Sequence, residues 1–117
     1  MNLLNLAKEN QEKIISDRRN LHKIPELELD LPKTTSYICN RLDEMDIPYH
    51  MLMGGRSIVA YIGKYRGKCI AIRADMDALE IKEDTKLAYK SEHEGLMHAC
   101  GHDDGHVAMA LLAPVRF

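Results

Sequence analysis

The segment Cys69-Ile70-Ala71-Ile72-Arg73-Ala74-Asp75-Met76-Asp77 decides the class of fold. It opens as an apolar run at consecutive positions, the pattern of a strand covered on both faces, and so of a central strand in a larger sheet. Asp75 and Asp77 come directly after it. Carboxylates at the carboxyl end of a central strand stand where α/β sheets place their sites. The expected class is therefore α/β. Just upstream, Ile58-Val59-Ala60-Tyr61-Ile62 is β-branched and apolar, and Gly63 to Gly67 reads as a turn. The two apolar runs on either side of it predict a hairpin.

Farther upstream the period changes. Tyr49 to Met53 reads as a short strand ended by Gly54-Gly55. Before it, Thr35, Ile38, Leu42 and Met45 form a helical stripe that starts near Pro32, a residue suited to a first turn, and closes at Pro48. Met1 to Ile24 reads as one helix, with Leu3, Ala7, Ile14 and Leu21 one or two turns apart. Pro25 ends it, because the residue before a proline is pushed out of helical geometry. Glu26 to Asp30 is a short acidic connector. Downstream of the central run, Glu80 to Glu94 is polar without a clear period and reads as a loop. Gly105 to Leu112 reads as one or two helical turns.

Composition narrows the function. The chain has 117 residues, which allows one small domain. It is 45% hydrophobic and 29% charged, an ordinary globular balance that argues against disorder. A net charge of -2 offers no basic field for nucleic acid and no polybasic segment for a membrane surface. With five Tyr, one Phe and no Trp, a base-stacking surface is not expected. The N-terminal leucines are followed at once by Lys8 and Glu9, too soon for a signal segment or a membrane span. Three scattered cysteines, Cys39, Cys69 and Cys100, fit no disulfide framework, so a reducing cytoplasm is the expected setting. Cys39, in the second helix pattern, and Cys69, in the central run, read as core residues.

The densest chemistry lies in Met97-His98-Ala99-Cys100-Gly101-His102-Asp103-Asp104-Gly105-His106, which carries three of the six histidines. Thiolate, imidazole and carboxylate are the side chains that bind zinc and related divalent ions. Cys100 and His102 cannot share one helix face. A loop can aim both at one point, and Gly101 gives the backbone freedom to do so. They read as part of a metal site. The plainer alternative is a buried free cysteine and a histidine bonded to backbone. A further scheme makes Cys100 a nucleophile activated by His102 or His106, although such pairs usually come from distant parts of a chain. Asp75 and Asp77 can steer or bind a metal, or can serve as solvated turn or cap residues. His98 can line a site. His93 reads as solvated loop.

Taken together, Ile72-Arg73-Ala74-Asp75-Met76-Asp77-Ala78-Leu79 and Gly95-Leu96-Met97-His98-Ala99-Cys100-Gly101-His102-Asp103 resemble the metal-dependent amidohydrolases of the aminoacylase and carboxypeptidase-like metallopeptidase group. N-acyl-amino-acid, hippurate and auxin-conjugate hydrolases belong there. Arg18-Arg19-Asn20-Leu21-His22-Lys23-Ile24-Pro25-Glu26-Leu27 is similar to that family's N-terminal helix and its exit. The resemblance runs from about Ile15 to Met109. It implies the N-terminal portion of a metallopeptidase-like catalytic domain, occupying residues 1–117 as a single truncated piece with no lid or dimerisation domain. It implies two divalent ions, zinc or manganese, that activate a water to hydrolyse N-acyl amino acids or small peptides, with a homodimer only in a full-length form. Cys100 and His102 match family metal ligands. Asp77 matches the catalytic-site carboxylate that supports them. Asp75 carries over weakly, and His22 matches a motif histidine without a catalytic role. The remaining ligands and the general-base glutamate would lie downstream, so the isolated chain is expected to be inactive or nearly so, either a remnant or a complementing fragment. Two departures stand inside the motifs. Glu80 replaces a common proline. Asp103-Asp104 occupies the place of a single Asp, and one extra residue at a helix start rotates the later residues by ~100° and displaces His106.

Overall fold

Asn10 breaks the first helical stretch in two. Its side-chain amide donates to Leu6 O at 2.9 Å, and its backbone N–H turns back to Leu6 and Ala7. Asparagine competes in this way with regular helical bonding. The structure, a computed structural model, describes residues 2–64, 66–108 and 110–111, without the side chains of 104–106. It therefore has α1 (Leu3–Glu9) and α2 (Gln11–His22) where one helix over Met1–Ile24 was expected. Only α2 contributes to the core. Leu21 is 1% exposed, whereas Leu3, in the same expected stripe, is 61% exposed.

The second expected helix forms as α3 (Pro32–Glu44), with Pro32 in its first turn. Its stripe faces inward: Thr35, Ile38 and Leu42 are buried. Ile38 and Leu42 meet Leu21, Val107 and Leu111 in the core, with Met45, Ile58 and Met76 packed around them. A polar cross-link ties α2 to α3 beside this core. The buried Asp17 carboxylate accepts from Tyr37 Oη at 2.6 Å and from Arg41 Nε at 2.7 Å. Burial and the bond to Asp17 push the Tyr37 phenol up to about 12, so it stays a neutral donor.

The sheet is one run earlier than expected. β1 (Tyr49–Leu52) pairs antiparallel with β2 (Ser57–Ala60), Tyr49 opposite Ala60 and Leu52 opposite Ser57. Met53, Gly54 and Gly55 make the turn with φ of 53°, 67° and 89°, a left-handed run that glycine adopts at no steric cost. The hairpin between Ile58–Ile62 and Cys69–Ile72 does not form, and Cys69–Ile72 is not a central strand here. Among the described residues no strand pairs with it, and Ile70 and Ile72 are 88% and 73% exposed. Apolar pattern marks a segment suited to burial on two faces; burial itself needs neighbours on both. Cys69 is accordingly exposed and not core, while Cys39 is half-buried on α3. The class is still α/β, with three α-helices and a two-stranded sheet among the described residues.

Candidate metal centre

The exit of α2 is the anchor for both motif segments. Carbonyl oxygens of three residues there accept from distant loops: Lys23 O from Glu92 N at 2.9 Å, Pro25 O from His93 Nδ1 at 2.7 Å, and Glu26 O from Ala78 N at 2.7 Å. Leu79 and Met97 then form an isolated antiparallel bridge, each N–H donating to the other's carbonyl at 3.0 Å. The bridge lays the segment after Asp77 beside the segment before Cys100. His93 is thus a structural pin and not solvated loop. A carbonyl can only accept, so its Nδ1 donates and its Nε2 takes a bond from Lys33 Nζ at 2.9 Å. Glu26 does more than connect helices. Its carboxylate accepts from the first-turn amides of α3, Thr34 N at 2.6 Å and Lys33 N at 3.1 Å. Leu31, at the cap position, has no side-chain oxygen to offer, so Glu26 replaces the missing cap.

These anchors bring Asp77, Cys100 and His102 together. His102 Nδ1 lies 2.9 Å from both the backbone oxygen and Oδ1 of Asp77, so Nδ1 carries the proton and donates. The Cys100 thiol lies 3.9 Å from the same backbone oxygen. His102 Nε2, the ring nitrogen left to face a metal in this tautomer, is 4.0 Å from Asp75 Oδ2. Asp75 is held in turn by Arg73 Nε at 2.9 Å. Gly101 separates the two ligand candidates with φ of 85°, a conformation that strains any side chain with a Cβ.

Sequence reasoning gave His22 no catalytic role, yet its side chain is almost fully enclosed near this loop. Its ring is 2% exposed and has a carboxylate at each nitrogen: Asp103 Oδ2 at 2.6 Å from Nδ1 and Glu83 Oε1 at 2.9 Å from Nε2. Arg18 Nε lies 3.3 Å from the same oxygen of Asp103. The His98 ring lies tilted beside it, centroids 6.5 Å apart, and is 4% exposed with neither ring nitrogen hydrogen-bonded among the described residues. Burial pushes the His98 imidazole below the usual histidine range.

Glu83 supplies a pH dependence. Burial alone raises its carboxyl, but bonds from Thr85 Oγ1 and Ser91 N and the neighbouring His22 outweigh burial and hold it below its ordinary value. A depressed folded value contributes stability above the unfolded value of about 4.3 and loses it as pH falls through the folded value. Urea midpoints of the wild-type chain should therefore drop below about pH 4, and those of Glu83→Gln should be lower at pH 7 but flatter across that window. Parallel curves for the two chains would show that Glu83 does not carry the acid sensitivity.

His102–Ala108 forms a π-helix, whose i→i+5 bonds take about one more residue per turn than an α-helix. Asp103 is buried against His22, and Val107 and Leu111 reach the core. The sequence predicted α-helical turns beginning at Gly105; the winding starts at His102 and is of the wider kind. The His106 side chain, Leu112 and the chain after it lie outside the described residues.

The donor set fits half of a metal site. The Cys100 thiol and His102 Nδ1 approach one Asp77 backbone oxygen, and the Asp77 carboxylate fixes the imidazole's tautomer, the arrangement that raises ligand basicity. Two buried imidazole nitrogens of His98 without partners stand nearby. Among the described residues, however, no three His, Cys, Asp or Glu side chains gather closely enough to enclose an ion. A cleft of about 240 Å³ lined by Asn10, Asp17, Arg41 and Leu111 involves none of these residues.

Known proteins resemble this chain over most of its length. Residues 71–115 match the model of peptidase family M20/M25/M40. The chain is 42% identical over 95 residues to an N-acetyldiaminopimelate deacetylase of Enterococcus faecalis, covering 80% of this chain and 25% of that protein. It is 41% identical over 113 residues to thermostable carboxypeptidase 1 of Saccharolobus solfataricus, covering 93% of this chain and 28% of the relative. A solved Bacillus subtilis protein, a dinuclear metal binding peptidase from the M20 family, superposes with a TM-score of 0.80 at 39% identity, over 93% of this chain and 32% of its own. The chain spans about a quarter of the length of the curated relatives it matches.

Proposed function

From a chain that matches a short N-terminal part of M20-family hydrolases in sequence and in fold, we propose that Cys100, His102 and Asp77 form the N-terminal half of a metal-dependent amidohydrolase site. The observation that carries the reading is the convergence of Cys100 and His102 on Asp77, with His102 Nδ1 donating to the Asp77 carboxylate at 2.9 Å. Cys100 and His102 would hold a divalent ion, zinc or manganese, and Asp77 would orient the imidazole. Such ions, when bound, supply Lewis acidity and an activated water for amide hydrolysis near neutral pH. The substrate class is a small N-acylated amino acid or peptide. The unpaired cysteines support a cytoplasmic setting. No helix among the described residues is long and apolar enough to cross a membrane. The net charge of -2 supports neither nucleic acid nor a membrane surface as partner, and a homodimer belongs to a longer form.

A second reading comes from the shortage of ligands. No enclosing group of three ligands stands among the described residues, so hydrolysis draws on ligands and a general base beyond them, and this chain by itself is inactive or nearly so. Elemental analysis after dialysis tests the first reading. About one zinc or manganese per chain should be retained by the wild type and lost in a Cys100→Ala, His102→Ala double variant. Equal metal in both chains, or none in either, would remove the half-site. Release of free amino acid from an N-acetyl amino acid by the wild-type chain alone would remove the second reading.

A further inference from the structure

We propose that His22 is a positioning residue: it sets the direction in which His102 and Cys100 point, acting through Asp103. The proposal rests on the half-site reading above and adds a residue to it.

The ligand loop is anchored on its N-terminal side by the Leu79–Met97 bridge, directly before His98. Between the two ligand candidates lies Gly101, which permits many backbone conformations. A loop with a glycine between its functional residues needs a second anchor on the far side. Asp103, the next residue after His102, is that anchor. Its side chain is fully enclosed, and its strongest contact is the 2.6 Å bond from His22 Nδ1. The partners are 81 residues apart in sequence, so this bond, with Arg18 Nε at 3.3 Å from the same oxygen, ties the start of the π-helix to α2.

His22 itself cannot meet a substrate. Its ring is 2% exposed, and both nitrogens already face carboxylates. Its hydrogen bonds can act on the site only through one of those two carboxylates. Glu83 belongs to a loop that carries no ligand candidate. Asp103 adjoins one. The Nδ1 side is therefore the positioning side, and the Nε2 side holds the ring in place.

Two side chains separate these roles. The amide of asparagine reaches about where Nδ1 sits, and that of glutamine about where Nε2 sits. His22→Asn keeps a donor for Asp103 and loses Glu83; His22→Gln keeps Glu83 and loses Asp103. Amide hydrogen exchange at Cys100, Gly101 and His102 is measured on the metal-free 117-residue chain, and cobalt(II) affinity by titration. Arg41→Met, which breaks the Asp17 link far from the loop, controls for general loss of stability. Glu83→Gln, which retains His22 and Asp103, stands in for His22→Asn if that chain does not fold.

His22→Gln should exchange these amides at least about tenfold faster than His22→Asn at matched stability, and should bind cobalt about 10–100-fold more weakly. Equal exchange in the two variants, or an effect of the same size in Arg41→Met, overturns the proposal. If the wild-type chain shows no Cys100-dependent cobalt spectrum, the half-site reading fails, and the exchange comparison still decides the role of His22.

Discussion

An Asp103→Ala chain should lose most of its stability at 25 °C. The Asp103 side chain is fully enclosed and sits against both His22 and Arg18. Its removal leaves an imidazole that has lost its closest partner in a site that is 2% exposed. Breaking a buried pair from one side costs about 3–5 kcal/mol, because the remaining group keeps its desolvation penalty without compensation. Small domains hold roughly 5–15 kcal/mol in total, and a chain of this size lies near the lower end. The expected fall in Tm is more than about 10 °C. Circular dichroism melts of the two chains check this, and a fall of less than about 3 °C would show that the pair contributes little. The core alone, Leu21, Ile38, Leu42, Val107 and Leu111, would then have to carry the fold.

The second large effect is expected from Glu26→Ala. This change removes both charge-assisted bonds to the first turn of α3 and leaves Thr34 N–H, in a residue that is 1% exposed, without an acceptor. Bonds to charged groups contribute about 1.5–3 kcal/mol each, so a loss of about 3–6 kcal/mol is expected. Glu26→Gln keeps one carbonyl oxygen and should lose about half as much. Urea denaturation of the three chains gives the order. Similar midpoints for the alanine and glutamine variants would show that the helix end is satisfied by other means.

What the sequence showed and what it hid divide along physical lines. Local periodicity made α3 legible: Thr35, Ile38 and Leu42 are buried as their spacing requires, and Pro32 stands in the first turn. Chemical density made the candidate site legible, because Cys100, His102 and the Asp pair are residue types with few bland uses in such proximity. Long-range pairing left no local trace. The contacts of His22 lie 81 and 61 residues away, and nothing in the helical pattern of α2 marks that one of its residues will be enclosed by two carboxylates. The break at Asn10 had a signal, a residue that competes for helical bonds, but the leucine and isoleucine spacing on either side outweighed it. Ile70 and Ile72 misled because pattern states a preference and not an environment. The glycine turn at Gly54-Gly55 was read correctly as a strand end. Its use as the hairpin connection was assigned instead to Gly63–Gly67.

The Leu79–Met97 bridge bears on how such chains can differ in length. It ties together the two ends of the intervening excursion, so the separation of Asp77 and Cys100 along the chain does not set their separation in space. Glu83, Ser91, Glu92 and His93 fasten the flanks of that excursion to His22, Lys23 and Pro25. Residues 86–88 lie between Thr85, which bonds Glu83, and Tyr89, which packs on His22, Arg18 and Arg19. Insertions and deletions should collect there without disturbing the Asp77–His102 contact. A search pattern that fixes the number of residues between the aspartates and the cysteine will therefore miss proteins with the same site.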